Sequence, residues 1–317
     1  DKQVKLFCDG AGIGLQMQMK DGYVGHDGEF DPDHHGEWIL EPHELRRIFD
    51  IYWDADWQIH IHVTGDEGVE VLTGILADAM ARRPRINHRT VFVHFMNSTP
   101  DQIERIAKLG AIVSINPFYV IGFADKFEQV GLGQPRADVM GRAGTVLRNG
   151  IPLSFHSDLP ICPSNPMKMV EWGVTRLTFN GRVAGPEERI SVHDALRAVT
   201  IEAAYSWQRE NELGSIEPGK KANFTILGGD PYEVDPTRIG EIPVVGTMFE
   251  GRDFPVPEHQ VQRRVDNQPR GAVVAPSHEG GVTTTTHIGH QCDDMQVCGC
   301  EVAEFMSRHM GRDGWAA

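Results

Sequence analysis

No stretch of the 317-residue chain approaches the ~18 consecutive apolar residues that a membrane-spanning helix needs, so a membrane partner is not expected. Basic residues are scarce: 30 Lys and Arg stand against 45 Asp and Glu, for a formal charge of −15. That balance argues against nucleic acid or an anionic membrane surface, since both are bound by basic patches. Cysteine is sparse as well. The five residues Cys8, Cys162, Cys292, Cys298 and Cys300 are odd in number and irregular in spacing, which is not a disulfide framework. A reducing, cytoplasmic compartment is the expectation. A Gly-x-Gly-x-x-Gly turn after a strand is also missing, which disfavours a dinucleotide-binding sheet. Gly10-Ala11-Gly12-Ile13-Gly14 has the wrong spacing, and no clear helical pattern follows it. Finally, the chain does not begin with methionine. Asp1 is followed almost at once by strand-like Val4-Lys5-Leu6-Phe7-Cys8. Asp1 therefore reads as a processing or truncation point, with further chain expected upstream.

What is present is an ordinary globular mix, 40% hydrophobic and 24% charged, with ample material for a core. Over residues 1–212, short apolar strands alternate with amphipathic helical stretches. Strands are predicted at 3–8, 58–63, 90–95, 111–116 and 152–157. Helices are predicted at 42–53 and 69–80, from apolar residues at three- and four-residue spacing, and over 191–207. Thr99-Pro100-Asp101 has the N-cap and first-turn proline of another helix, which Gly110 closes. Such alternation implies parallel strands and right-handed crossovers, in an open sheet or in part of a (β/α)8 barrel. Residues 213–254 change in texture: strands at 223–227 and 244–249 suggest a small β module, which two or three strands cannot sustain alone. Residues 255–317 read as an irregular tail or partner-binding arm.

In parallel α/β barrels the chemistry sits at the C-terminal strand ends. Those ends carry Lys5, His62, His94 and Asp158, each on a different strand. The period of two predicts their direction. If Ile59, Ile61 and Val63 pack on helices, His60 and His62 point to the axis. By the same rule Phe92 and His94 point inward when Val91 and Val93 point out. Ser154, His156 and Asp158 point inward opposite Leu153 and Phe155, and Lys5 and Phe7 opposite Val4 and Leu6. Two imidazoles and a carboxylate converging on one axis suit zinc or a similar divalent ion. A buried lysine is readily driven to its neutral amine, which can add CO2 to give an anionic carbamate. His60, His156, Cys8 and Cys162 are expected to be packing residues, and His34-His35 to lie solvated in a polar loop, the alternative being that the pair borders the site. The loops 10–41 and 118–138 are expected to form variable pocket walls.

Taken together, these strand ends resemble the amidohydrolase superfamily. They are most like the amidohydrolase-3 branch that includes YtcJ-like proteins and N-substituted formamide deformylases. The resemblance runs from Val4 to Gly251. It is carried by Val4-Lys5-Leu6-Phe7-Cys8-Asp9-Gly10, by Ile59-His60-Ile61-His62-Val63-Thr64-Gly65-Asp66 and by Val93-His94-Phe95. His156-Ser157-Asp158-Leu159-Pro160 and residues 213–221 with the strand after them complete it. The resemblance implies a TIM-type barrel of which this chain holds strands 4–8, with part of a small β-sandwich. It implies that Lys5 is a carboxylated bridging lysine, and that His62 and His94 are metal ligands. Asp158 is then both a ligand and the catalytic proton shuttle, around one or two ions, zinc being the first choice. The family's first-strand His-x-His pair and strands 1–3 are missing here. Asn223 stands where the family usually has Asp, and Phe95-Met96 where it usually has Ala-Gln.

The expected activity is hydrolysis of a C–N bond in a small amide-type substrate by metal-activated water. A second chain or an N-terminal fragment is expected to supply strands 1–3. The alternative is a catalytically inactive, amidohydrolase-like subunit with a binding or structural role. Separately, His287, His290, Cys292, Cys298 and Cys300 could hold a structural zinc, against a flexible tail or a local disulfide; their spacing matches no standard finger.

Overall fold

In the computed structural model, residues 2–25 and 28–257 are described. The expectations for the His/Cys cluster and for most of the tail lie outside them.

β1 (Gln3–Phe7) is followed by a long loop holding a two-stranded ribbon, β2 (Tyr23–Val24) with β3 (Phe30–Asp31). Helix and strand then alternate through α1 (Pro42–Asp54), β4 (Gln58–Val63), α2 (Asp66–Arg82), β5 (Val91–His94), α3 (Pro100–Leu109) and β6 (Ile112–Ile115). α4 (Phe118–Gln129), α5 (Ala143–Arg148) and β7 (Leu153–Phe155) continue the pattern. After α6 (Pro166–Thr175), α7 (Val192–Ala198) and α8 (Ile201–Ser206), the antiparallel strands β8 (Phe224–Leu227), β9 (Val244–Phe249) and β10 (Arg252–Pro255) form a separate sheet. Among the described residues, no helix is long and apolar enough to cross a membrane.

β1, β4, β5, β6 and β7 form one all-parallel sheet in chain order. Each strand is reached from the last through helix, which makes the fold α/β. Register sets two rows across the sheet. Lys5 pairs with His60, His60 with Val91 and Val91 with Ile112. One layer up, Phe7 pairs with His62, His62 with Val93, Val93 with Ser114 and Ser114 with Ser154. Among the described residues, β1 and β7 each have one unpaired edge.

The core lies between this sheet and its helices. Ile59, Ile61 and Val63 of β4 are fully buried against Leu45, Phe49 and Trp53 of α1 and Val69 and Leu72 of α2. Burying each side chain of this size contributes about 1.5–3 kcal/mol. α3 starts as its sequence predicts: Thr99 Oγ1 accepts from Gln102 N–H (3.3 Å), the Gln102 side chain accepts from Thr99 N–H (3.0 Å), and Gly110 closes the helix at φ +73°. This is a capping box with a left-handed C-terminal glycine.

The structure departs from expectation in three elements. The single helix expected over 191–207 is two helices, broken at Thr200, where φ is −126° and ψ −97°. Thr200 Oγ1 donates to Leu196 O (2.7 Å), a local bond that competes with the helical ladder. The loop expected over 118–138 begins with α4 instead. Its residues Phe118 to Ala124 are all buried, so no amphipathic stripe betrays it. The third departure is the phase of β5, described below. In the small sheet, Ile226, Phe249 and Phe254 remain exposed.

Candidate active site

A cavity of about 860 Å3 opens on the inner face of the parallel sheet, and Lys5, His62, His94 and Asp158 all line it. Its other walls include Phe7, His60, Val91, Val93, Ser114 and His156, with Ser206, the last residue of α8, and Trp207 at the opposite end. On β4 the alternation is as expected, with Ile59 and Ile61 in the core; on β1 Leu6 is in the core as expected, but Val4, expected to face outward with it, also lines the cavity.

On β5 the expected phase is inverted. Val91 and Val93 line the cavity, while Phe92 is fully buried in the helix-side core and meets Phe95 edge-on at 6.1 Å. His94 pairs in register with Val63 and Ile115, which are both core residues. It still reaches the cavity because its backbone is left-handed, at φ +74°, followed by Phe95 at +45°. Asp158 is left-handed too, at φ +51°. Such conformations cost roughly 1–3 kcal/mol each and cluster at functional sites. A plain period of two cannot represent a strand end of this kind.

Burial governs the electrostatics. Lys5 keeps exposed surface, yet desolvation of its amine lowers the pKa from 10.5 to about 8, with Asp158 pulling the other way. Desolvation and the positive charge of Lys5 take His60 down to about 4. Desolvation, Lys5 and His62 take His156 down to about 3. His94 is held far below the ordinary histidine range by burial, then by His156, His62 and Lys5. His62 is lowered chiefly by desolvation, against a bond to Gly10. At neutral pH these rings are uncharged and keep a lone pair each, the form in which imidazole binds metal.

The groups form one connected set. The His62 and His94 rings are 4.4 Å apart, and Phe7 stacks on His62 at 5.4 Å. His62 Nε2 is 3.3 Å from Gly10 O, an atom that can only accept, so Nε2 carries the hydrogen. Gly10 is held by the buried carboxylate of Asp9 beside it, which accepts from the backbone N–H groups of Gln18 (3.0 Å), Thr64 (2.9 Å) and Gly65 (2.8 Å). His94 Nδ1 lies 3.1 Å from Tyr119 Oη and 3.2 Å from His156 Nε2; His156 Nδ1 lies 3.0 Å from Ser114 Oγ. Tyr119 Oη donates to Asp158 Oδ2 at 2.8 Å.

Sequence reasoning missed Tyr119, because it falls in the segment read as a loop, and Ser114, which it did not single out. His156 and His60, expected to pack, line the cavity; His60 lies 4.9 Å from the Trp207 ring, and its buried Nε2 has no hydrogen-bond partner among the described residues. His35 is bound between Met19 O and Pro32 O at 2.9 Å each, so it is not simply solvated. Cys8 and Cys162 are buried, free thiols.

Among the described residues, no three His, Cys, Asp or Glu side chains surround a common point at metal-ligand spacing. The cavity residues bond to one another instead. Their chemistry nevertheless fits a divalent ion: neutral imidazoles, a carboxylate and an amine whose charge is disfavoured.

The fold is α/β, and two solved structures it resembles are described as metal-dependent hydrolases. An uncharacterised metal-dependent hydrolase from Pyrococcus horikoshii OT3 superposes with a TM-score of 0.62 at 25% identity, over 74% of this chain and 45% of that one. Another from Pyrococcus furiosus gives 0.57 at 26% identity, over 68% and 42%. The chain belongs to the amidohydrolase family, whose Amidohydro_3 model matches residues 1–253. Among curated relatives, the amidohydrolase-type protein YtcJ of Bacillus subtilis (strain 168) is 26% identical over 78% of this chain and 46% of its own length. N-substituted formamide deformylase of Arthrobacter pascens is 28% identical over 60% and 35%. The chain thus spans less than half the length of these relatives.

Proposed function

We propose that this chain carries most of the metal site of a hydrolase that cleaves C–N bonds in small amide- or formamide-type substrates. The supporting observation is that Lys5, His62, His94 and Asp158, far apart in sequence, line one cavity at the strand ends of a family member. His62, His94 and Asp158 would hold the ion, with zinc the first choice. Lys5, carboxylated on Nζ, would add an anionic ligand; its lowered pKa favours the free amine that takes up CO2. When bound, a divalent ion supplies Lewis acidity and activates water. Asp158 takes the proton of the attacking water and returns it to the leaving nitrogen. His62 and His94 stay neutral in this scheme, and Phe7 and Val93 offer apolar wall to the substrate.

The unpaired edges of β1 and β7 suit further parallel strands that would close the sheet into a barrel. We propose that a second polypeptide or an N-terminal fragment supplies strands 1–3 with their His-x-His pair, and the rest of a sandwich over Ile226, Phe249 and Phe254.

The test is metal content and hydrolysis of N-acyl and N-formyl substrates by the purified assembly and its Asp158→Asn variant. Expected are bound metal in both and turnover at least 100-fold lower in the variant, as is typical when a general acid–base is removed. Undiminished turnover in Asp158→Asn overturns the role of Asp158. A fully active 35.3 kDa monomer overturns the need for a second piece. A metal-free, inert assembly would favour the binding-subunit alternative.

A further inference from the structure

Tyr119 is buried on α4, outside the set of strand-end residues, yet it touches two of them. Its hydroxyl is 2.8 Å from Asp158 Oδ2 and 3.1 Å from His94 Nδ1. A phenol has one proton to donate and otherwise only lone pairs. An ionised carboxylate can only accept, and a charge-assisted bond is the stronger of the two on offer, so the proton goes to Asp158. Toward His94 the hydroxyl then presents lone pairs. If Nδ1 also carried a lone pair, two acceptors would face each other in a buried site, at the cost of an unmade bond. The contact is satisfied only when Nδ1 carries the hydrogen.

The other neighbour of that nitrogen is compatible with this assignment. His156 Nδ1 can donate to Ser114 Oγ (3.0 Å), which leaves its Nε2, 3.2 Å from His94 Nδ1, as an acceptor. From His156 Nδ1–H through His94 and Tyr119 to Asp158, every donor then meets an acceptor, whereas a Ser114 hydroxyl that donated instead would put the hydrogen on His156 Nε2, facing His94 Nδ1. A neutral imidazole has one ring hydrogen. With that hydrogen on Nδ1, the electron pair of His94 is on Nε2.

We infer that Tyr119 is a positioning residue: by giving its proton to Asp158 and accepting from His94 Nδ1, it fixes His94 as the Nδ1–H tautomer and leaves Nε2 as the donor atom. The use of that atom rests on the metal-site reading above; the tautomer does not. Partners that fix the tautomer of a ligating histidine are worth about 10- to 100-fold in metal affinity.

The experiment uses the full 317-residue chain with 15N-labelled histidine, metal-free and at mildly alkaline pH, with His94 assigned by loss of its signals in His94→Gln. The expected wild-type spectrum has a protonated Nδ1 and an unprotonated Nε2. In Tyr119→Phe a mixture of tautomers is expected, and zinc affinity measured by competition falls about 10- to 100-fold. In Ser114→Ala, where Tyr119 stays in place, the tautomer is retained. A protonated Nε2 in the wild type overturns the inference. So does a tautomer that survives Tyr119→Phe, and its loss in Ser114→Ala would then make His156 the determinant. If Tyr119→Phe does not fold, the wild-type and Ser114→Ala spectra still decide. The assigned tautomer in a protein that binds no zinc sinks the metal-site reading and leaves this one standing.

Discussion

The inverted phase of β5 can be tested by making the two neighbouring positions compete. Phe92 is fully buried in the helix-side core beside Phe95, while Val93 borders the cavity. Truncating a buried phenylalanine to alanine costs about 3–5 kcal/mol through lost transfer energy and the void left behind. Val93→Ala removes two methylene equivalents, about 1.6 kcal/mol at most, and opens no new void because the site already faces one. Val93→Thr is the sharper probe. The swap preserves shape, and a hydroxyl facing the cavity can be hydrated, so the cost should stay below ~1 kcal/mol; in a dry core it would be about 1–3 kcal/mol. Urea unfolding followed by tryptophan fluorescence, with slopes compared so that only midpoints carry the difference, reads all three variants. The order expected is Phe92→Ala far above Val93→Ala, with Val93→Thr least. If Val93→Thr destabilises as much as Phe92→Ala, the strand faces the other way and His94 loses its route into the cavity.

Acid should weaken the fold through its histidines. His60 and His156 titrate near 6.5 when unfolded but only at about 4 and about 3 when folded. The unfolded chain therefore binds more protons between those values. Their contribution is complete above pH 6.5 and is lost as pH falls, by about 1.4 kcal/mol per unit for each group. Asp9, raised to about 6 chiefly by burial, acts in the opposite sense from 3.8 upward. The comparison is accordingly between wild type and His60→Gln/His156→Gln, whose stability should vary less steeply from pH 6.5 to 4.5; identical slopes refute the assignment. Asp9→Ala removes the acceptor for Gln18, Thr64 and Gly65 N–H. Orphaning these donors should cost more than ~2 kcal/mol and expose the 10–41 loop to proteolysis. A midpoint and cleavage rate equal to wild type would contradict that latch.

The alternating architecture was legible because strands such as Gln58–Val63 pair a regular period with β-branched residues, and because Thr99 and Gly110 punctuate α3 with unambiguous caps. That Lys5, His62, His94 and Asp158 lie at one height was legible too, since sequence position along a strand predicts height along the sheet axis, but the period of two gave the wrong reason for the direction of His94. Three features were not. The first half of the helix Phe118–Gln129, up to Ala124, is buried on every side and reads as no particular period. The break at Thr200 depends on one side chain choosing a backbone carbonyl. The reversal at His94 is a backbone property that its neighbours enforce, and nothing in Val93-His94-Phe95 announces it. Tyr119 was lost with the helix that carries it.

The left-handed backbone at His94 and Asp158 also limits what any mutagenesis of this site can mean. A residue type suited to such a conformation, asparagine above all, changes only the chemistry at these two positions. A valine or isoleucine changes the path of the chain as well, so a loss of function from such a swap says nothing about ligands or proton transfer. Asparagine scanning, rather than alanine or hydrophobic replacement, is therefore the informative way to interrogate the mouth of this sheet.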